Sequence, residues 1–200
     1  MRKAEFAFYA MTLLFWCLLF PVAAKGAQST RLSRERSLKT PARCRSMCLQ
    51  KQTLFDPLGI RDFKWRHVPV NRVTAQGNLY ISTRDDARIG ELILHRGKLK
   101  GRRIVARDWV KRSVANQVPI SAFDPFSDFY GYMWYSKAEP LGKRSIVVHF
   151  ASGNGGNKIY VVPALDIVVA VASSAYHHHY GQLRSQDILL KVLSAAGDVD

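Results

Sequence analysis

The sequence is poor in cysteine and has no internal repeat or low-complexity segment. Three cysteines occur in 200 residues, and no second Cys/His pair stands at zinc-ligand spacing beside Cys44 and Cys48. Three consecutive histidines at positions 177–179 point in different directions on any regular backbone. We therefore expect no metal site and no cofactor. Whether Cys44 and Cys48 pair in an oxidising compartment stays open.

Acidic residues are also scarce, 15 against 30 Lys and Arg, and the resulting net charge of +15 is unevenly placed. In residues 25–52, eight cations face only Glu35. Such a basic run without apolar periodicity predicts a flexible tail that is either simply solvated or lies on an anionic membrane surface. No aromatic residue interrupts it, so the stacking surface of single-strand binders is absent and we expect no specific nucleic acid.

One long apolar run lies at the start of the chain. Two cations precede the run over residues 6–20, and the small residues Val22–Ala24 follow it. This order is typical of a secretory signal, so we read residues 1–24 as a signal peptide and expect an exported protein, periplasmic or secreted. The alternative is an uncleaved membrane anchor formed by residues 6–24, which are nearly numerous enough to span a bilayer.

Residues 53–197 have the pattern of one globular domain in which helices are followed by strands. The whole chain is 48% hydrophobic and 22% charged, which is ordinary for a protein with a core. The predicted elements are a helix capped by Ser82 and closed at Gly97, a helix from Arg107 to about Val114, strands at Tyr130–Tyr135, Ser145–Ala151, Lys158–Val162 and Ile167–Ala172, and a helix from Ser185 to Ala196. Short connections between the strands imply antiparallel pairing. The predicted fold class is α+β, an antiparallel sheet flanked by helices.

Two of these helices have recognisable local signals. Ser82 and Asp85 fit a capping box, in which the Ser82 side chain accepts the Asp85 amide and Asp85 reaches back. In the last helix Ile188, Leu189, Val192 and Leu193 fall on one face, which predicts a helix laid across the sheet.

A glycine-rich turn lies between two apolar strands in the segment from Phe150 to Pro163. Gly153, Gly155 and Gly156 occupy three of four positions, and such a connection allows a ligand to approach the backbone closely. The alternative is a hairpin turn that binds nothing. The spacing of these glycines to Lys158 differs from the Walker pattern, so we do not expect a phosphate loop.

Five segments taken together resemble the β-lactamase-related serine hydrolases, most closely their esterase and 6-aminohexanoate-dimer hydrolase branch. The segments are Leu54–Ile60, Gln76–Gly90, Trp109–Val110, Tyr130–Trp134 and Ser152–Pro163. The similarity covers residues 53–197. It implies the C-terminal part of the β-lactamase/transpeptidase-like fold, in incomplete form.

The resemblance implies acyl transfer, but two of the implied motifs are missing. Related enzymes attack a carbonyl with the Ser of a Ser-x-x-Lys turn, manage its proton with that Lys and the Tyr of a Tyr-x-Asn element, and hold the oxyanion with backbone amides. Neither motif occurs in the 200 residues. We therefore expect a truncated hydrolase that is inactive alone, takes a small ester or amide only when a missing N-terminal half completes it, and leaves part of its sheet uncovered.

The resemblance also implies substrate-binding positions. Ser152 and Gly153 stand at the family's third motif, and Asn157 stands where Gln is frequent. Tyr132 and Trp134 line a pocket in one interpretation and belong to the core in the other, while His149 is expected to be a strand histidine and not a base. The predicted substrate-binding residues are Ser152, Gly153, Asn154, Gly155, Gly156, Asn157, Tyr132 and Trp134, and no catalytic residue is assigned.

Three functions fit these observations. The favoured one is a hydrolase by descent that lacks its nucleophile. The second is a noncatalytic cell-envelope protein that binds through the retained pocket or the basic tail. The third is an intact hydrolase with an unusual nucleophile.

Overall fold

The computed structural model describes residues 48–65, 79–178 and 180–197. Residues 48–50 are helical and continue into a π-helical turn, Lys51–Phe55. The helices that follow are α1 (Asp56–Leu58), α2 (Thr83–Leu94), α3 (Arg107–Ser113) and α4 (Tyr180–Gly197). The strands are β1 (Lys64–Trp65), β2 (Leu79–Tyr80), β3 (Lys98–Leu99), β4 (Arg102–Arg103), β5 (Val118–Pro119), β6 (Phe129–Tyr130), β7 (Tyr135–Leu141), β8 (Arg144–Ser152), β9 (Lys158–Val162) and β10 (Ile167–Val171).

Six of these strands form one antiparallel sheet in the order β10-β9-β8-β7-β6-β5. In the β7–β8 hairpin the register runs from Tyr135 opposite Phe150 to Leu141 opposite Arg144. In the β8–β9 hairpin Ser152 lies opposite Lys158. The prediction of an α+β fold with an antiparallel sheet flanked by helices is confirmed.

The two faces of the sheet carry separate cores because side chains alternate along each strand. On one face Ile159 and Val161 of β9 pack with Leu92 and Ile93 of α2. Contact there is close, since a Cβ at Gly90 of α2 would lie 2.4 Å from Cγ1 of Val168 on β10. The other face is covered by α4, which packs its side chains into a second core; members are Leu189 and Leu193 of α4 with Val148, Phe150, Tyr160 and Val162.

The strongest local signals gave correct elements. Strand β9 has the predicted bounds, β8 is one residue longer than predicted at each end, and β10 is one residue shorter at its C-terminal end. The Ser82 side chain accepts the Asp85 amide at 3.2 Å, as predicted. Asp85 returns its carboxylate to the Ser82 hydroxyl at 2.8 Å rather than to the backbone amide. Helix α4 begins five residues before the predicted Ser185.

The predicted strand Tyr130–Tyr135 is wrong, because the chain turns between Gly131 and Trp134. The Gly131 amide donates to the Trp134 carbonyl at 2.7 Å, and Met133 has a φ of +62°. The turn also packs against the end of α3, where a Cβ at Gly131 would lie 2.5 Å from the Ser113 carbonyl oxygen. The aromatic residues that suggested one strand are therefore divided between β6, the turn and β7.

Ile188 was wrongly placed on the buried face of the last helix. Leu189 and Leu193 are buried, whereas Ile188 is exposed. Leu183 of the same helix is 54% exposed, and Val147 of β8 is 49% exposed. Val118 of β5 is exposed as well, so apolar surface is uncovered on α4 and on strands β5 and β8 of the sheet.

Several predictions fall on residues that the structure does not describe, including the signal peptide, most of the basic tail and Gln76–Asn78. Residues 48–52, assigned to the tail, are helical, and Gln50 is buried. In the described ranges, no helix combines the length and apolar character needed to cross a bilayer.

Candidate functional site

The glycine-rich turn links the end of β8 to the start of β9. The Gly153 amide donates to the Asn157 carbonyl at 2.8 Å and closes the loop. Gly155 and Gly156 have φ values of +78° and +88°, which side-chain-bearing residues rarely adopt. The backbone conformation therefore favours glycine at both positions.

The first turns of α4 lie directly against this loop. A Cβ at Gly156 would be 2.3 Å from the Gly181 carbonyl oxygen, and a Cβ at Gly181 would be 2.8 Å from the Gly155 carbonyl oxygen. Gln182 Nε2 donates to the Gly153 carbonyl at 3.1 Å, and the Ser185 hydroxyl donates to the Gly156 carbonyl. The glycines allow two backbones to pack closely, and side chains of α4 fix the turn in place.

Asn157 stabilises the turn from inside the protein. Its side chain is fully buried, and Nδ2 donates to the Asn154 carbonyl at 2.7 Å. Its Oδ1 accepts the Ser173 amide at 2.9 Å. One end of the amide therefore bonds within the turn, and the other end joins the turn to the segment after β10. Asn154 is the exposed residue of the turn.

Lys158 is a buried cation that sequence reasoning missed. Lys158 is only 2% exposed, and its side chain lies on the same face of the sheet as Phe150 and Tyr160. Nζ lies 4.4 Å from the centre of the Phe150 ring and 6.0 Å from that of Phe126. Burial lowers the pKa of Lys158 to about 8, and Asp124 partly opposes this shift. Strand β9 is buried along its whole length, and the continuous apolar run that follows Lys158 is the signal in the sequence that could have indicated its burial.

Tyr132 and Trp134 lie in different environments. Tyr132 is 42% exposed and stacks on Trp109, with ring centres 5.6 Å apart. Trp134 is 1% exposed and belongs to the core that contains Ala151. Trp134 is therefore a core residue. Tyr132 keeps an exposed surface that a ligand can reach.

The described residues contain no group of three His, Cys, Asp or Glu side chains able to hold a metal ion. His177 and His178 follow β10, and His178 stacks on Tyr180 with ring centres 5.0 Å apart. Cys44 and His179 lie outside the described residues, so the pairing of Cys44 with Cys48 stays open.

The chain matches no family model and no curated protein. Solved structures do match. A protein of Bacillus anthracis described as a 6-aminohexanoate-dimer hydrolase superposes with a TM-score of 0.58 at 17% identity, over 72% of this chain and 38% of its own. A protein of Bacteroides dorei described as a β-lactamase gives a TM-score of 0.51 at 12% identity, over 73% and 51% of the two chains.

A β-lactamase of Mycobacterium bovis gives a TM-score of 0.51 at 15% identity, over 72% of this chain and 55% of its own. At these identities the likeness concerns the fold. The matched region spans between 38% and 55% of the three solved proteins, so the shared fold is a part of theirs. The described chain thus has the fold of a portion of the β-lactamase-related proteins.

Proposed function

We propose that this chain is a β-lactamase-related serine hydrolase by descent that binds small esters or amides at its glycine-rich turn and does not hydrolyse them alone. One observation carries the proposal. The turn from Ser152 to Asn157 is fixed by α4 and by the Asn157 side chain, and it presents Asn154 to solvent. Gly153, Gly155 and Gly156 are buried, so in this proposal the amide of the exposed Asn154 donates the hydrogen bond to the carbonyl oxygen of the ligand.

The proposal assigns binding without hydrolysis to this chain, because a hydrogen-bond donor alone cannot form an acyl-enzyme. The Ser-x-x-Lys and Tyr-x-Asn motifs implied by the resemblance are absent from all 200 residues. In this proposal a second polypeptide segment supplies the nucleophile and its base. The partial coverage of the solved hydrolase-like structures supports this division.

Ser152 is the serine that the hypothesis of an unusual nucleophile would use. It lies opposite Lys158 on the same face of the sheet. With a pKa of about 8, part of the Lys158 amine is neutral near pH 7.5 and able to accept a proton. Its Nζ, however, lies over the Phe150 ring, and cation–π attraction favours the charged form in that position.

A labelling experiment tests the absence of turnover. We expect nitrophenyl butyrate to be hydrolysed at its uncatalysed rate in the presence of the full chain. We also expect the native chain to react with no more fluorophosphonate probe than heat-denatured protein does. An active serine hydrolase in the same assay confirms that the probe reacts. Labelling of the native chain that disappears in Ser152→Ala would show that Ser152 is a nucleophile, and the inactive assignment would then be wrong.

A titration tests the binding half of the proposal. Addition of N-methylhexanamide, which resists hydrolysis, is expected to shift the backbone amide signals of Ser152 and Asn154 in an NMR spectrum. Gly142 lies in the β7–β8 turn and provides the control, because its amide signal should not move. If the signals of the glycine-rich turn stay fixed at saturating amide, the turn is a structural hairpin without a ligand.

A second candidate, a noncatalytic cell-envelope binding protein, is favoured by the charge of residues 25–52, where eight cations face one acid. We expect the full chain to bind vesicles with one third anionic lipid, and half-molar salt to weaken this binding. Changing Arg31, Arg34, Arg36 and Lys39 to Gln should reduce it at least about tenfold, since each cation contributes roughly 1 kcal/mol. Equal binding to neutral vesicles would assign attachment to residues 6–24 instead, in line with the membrane-anchor alternative to export.

A further inference from the structure

A cavity of about 480 Å³ lies between helices α2 and α3 and the six-stranded sheet, on the sheet face opposite α4. The end of α2, one side of α3 and the strands β8 and β9 form its walls. Its volume falls in the range of about 300–1,000 Å³ found for small-molecule pockets. His149 of β8 lines it, three residues before Ser152, so the cavity lies roughly 10 Å along the strand from the glycine-rich turn.

The interior of the cavity is apolar. Ile93, Val110 and Val161 are buried residues of the core, and Leu94 and Val114 are half-buried beside them. His149 is the polar group in this wall, and its Nδ1 is buried without a hydrogen-bond partner among the described residues. Burial lowers the pKa of His149, so its imidazole is neutral at pH 7. An alkyl chain therefore meets mainly methyl groups and one uncharged ring.

The rim has the opposite character. Exposed Arg96, Arg107 and Lys111 surround the opening, and Asp166 is the acidic residue that lines it. Three cations against one carboxylate leave a net charge of +2 at the opening. Arg107 and Lys111 are one turn apart on α3, so both side chains can reach the same anionic group.

We propose that this cavity binds an unbranched monocarboxylate of medium chain length, with the alkyl chain in the apolar interior and the carboxylate at Arg107 and Lys111. The chemistry selects this class by exclusion. A neutral alkane or alcohol would form no ion pair with the cations at the opening. A small inorganic anion would leave the apolar wall of the cavity in contact with water. The inference does not depend on acyl transfer at the glycine-rich turn.

Calorimetric titration of the full chain with decanoate, kept below its micellar concentration, tests the proposal. We expect saturable binding of one decanoate, with 1-decanol bound at least about tenfold more weakly because it lacks the charge-assisted contacts. Acetate should produce no heat of binding, since it has no chain to bury. In NMR spectra decanoate should shift the ring signals of His149 and leave those of His177 unchanged.

Two test variants, each with a matched control, show where decanoate binds. Val114→Phe fills the cavity and should weaken decanoate at least about tenfold, whereas Val147→Phe adds the same ring at an exposed position and should not. Arg107→Ala with Lys111→Ala, both exposed, should weaken it by about tenfold or more. The matched pair Lys143→Ala with Lys191→Ala removes equal charge elsewhere.

Equal loss of affinity in both charge-removal pairs would show that decanoate binds the basic protein unspecifically. Unchanged affinity in Val114→Phe, with the variant folded by circular dichroism, would also overturn the proposal. If that variant does not fold, the exposed pair at Arg107 and Lys111 and the His149 signals still decide the question.

Discussion

Replacing Gly156 with alanine is expected to destabilise the protein by about 3 kcal/mol or more, the range of severe core defects. Its φ of +88° is unfavourable for alanine, and the new methyl group would lie 2.3 Å from the Gly181 carbonyl oxygen and 2.6 Å from its carbon. Backbone cannot rotate away as a flexible side chain can. Helix α4 must therefore shift, and the hydrogen bonds from Gln182 and Ser185 to the turn are strained with it.

Gly101→Ala is the matched control for this prediction. Gly101 has a φ of +77°, but a Cβ there would meet nothing within 4 Å. It should lose only the about 1–2 kcal/mol that a left-handed conformation costs. Urea unfolding followed by circular dichroism gives both free energies of unfolding. Similar losses in the two variants would mean that the contact between the turn and α4 is loose, contrary to the packing described above.

These glycines illustrate what the sequence could predict and what it could not. Local pattern placed the turn correctly between two strands, because apolar strands and glycines are neighbours in the chain. The reason for Gly156 lies in Gly181, which is 25 residues later, and no local signal connects the two. The prediction that a ligand approaches these glycines stays a prediction, while the approach of a helix is what the structure provides.

The errors in the fold have the same origin. Strand β9 was predicted with correct bounds because its run of Val, Ile and Tyr is continuous. Strand β7 was missed because it carries Lys137, Glu139 and Pro140, which are depleted in strands. Glu139 is nevertheless buried and accepts a hydrogen bond from Gln186 of α4. Tertiary contacts of this kind override local preference.

The sequence predicted where the residues of the candidate site lie in the fold, and their role in binding substrate stays a prediction. Ser152 and Asn154 lie where the resemblance placed them, at the end of β8 and in the turn. Asn157 was predicted to bind substrate, yet its amide is used internally by two backbone groups. The cavity beside His149 could not be predicted from the sequence, because its lining residues are spread from Ile93 to Asp166.

Replacing Lys158 with methionine is expected to stabilise the protein at pH 7 by about 1–3 kcal/mol. Holding the pKa of Lys158 at about 8 instead of 10.5 costs roughly 3 kcal/mol when the amine is charged. Methionine keeps a long flexible side chain and removes that cost. Loss of cation–π attraction to Phe150 returns roughly 0.5–2 kcal/mol, which sets the lower end of the range.

The gain should depend on pH in a defined direction. Below pH 8 the amine is protonated in both the folded and the unfolded chain, and the full cost of burial is present. Between pH 8 and 10.5 the folded protein releases the proton while the unfolded chain retains it, so wild-type stability rises relative to the variant. The advantage of Lys158→Met should therefore shrink as pH increases through this window.

Urea unfolding of wild type and Lys158→Met at pH 7.0, 8.0, 9.0 and 9.5 measures this difference. Burial raises the pKa of Tyr160, which lowers stability at still higher pH, but that effect is common to both proteins and cancels. Lys143→Met, at an exposed lysine, should change the free energy of unfolding by no more than about 0.5 kcal/mol. A Lys158→Met variant that is less stable by the same amount at every pH would show that the buried ammonium is fully compensated by Phe150 and Asp124. In that case Lys158 would have no neutral amine available near pH 7.5, and Ser152 would have no base.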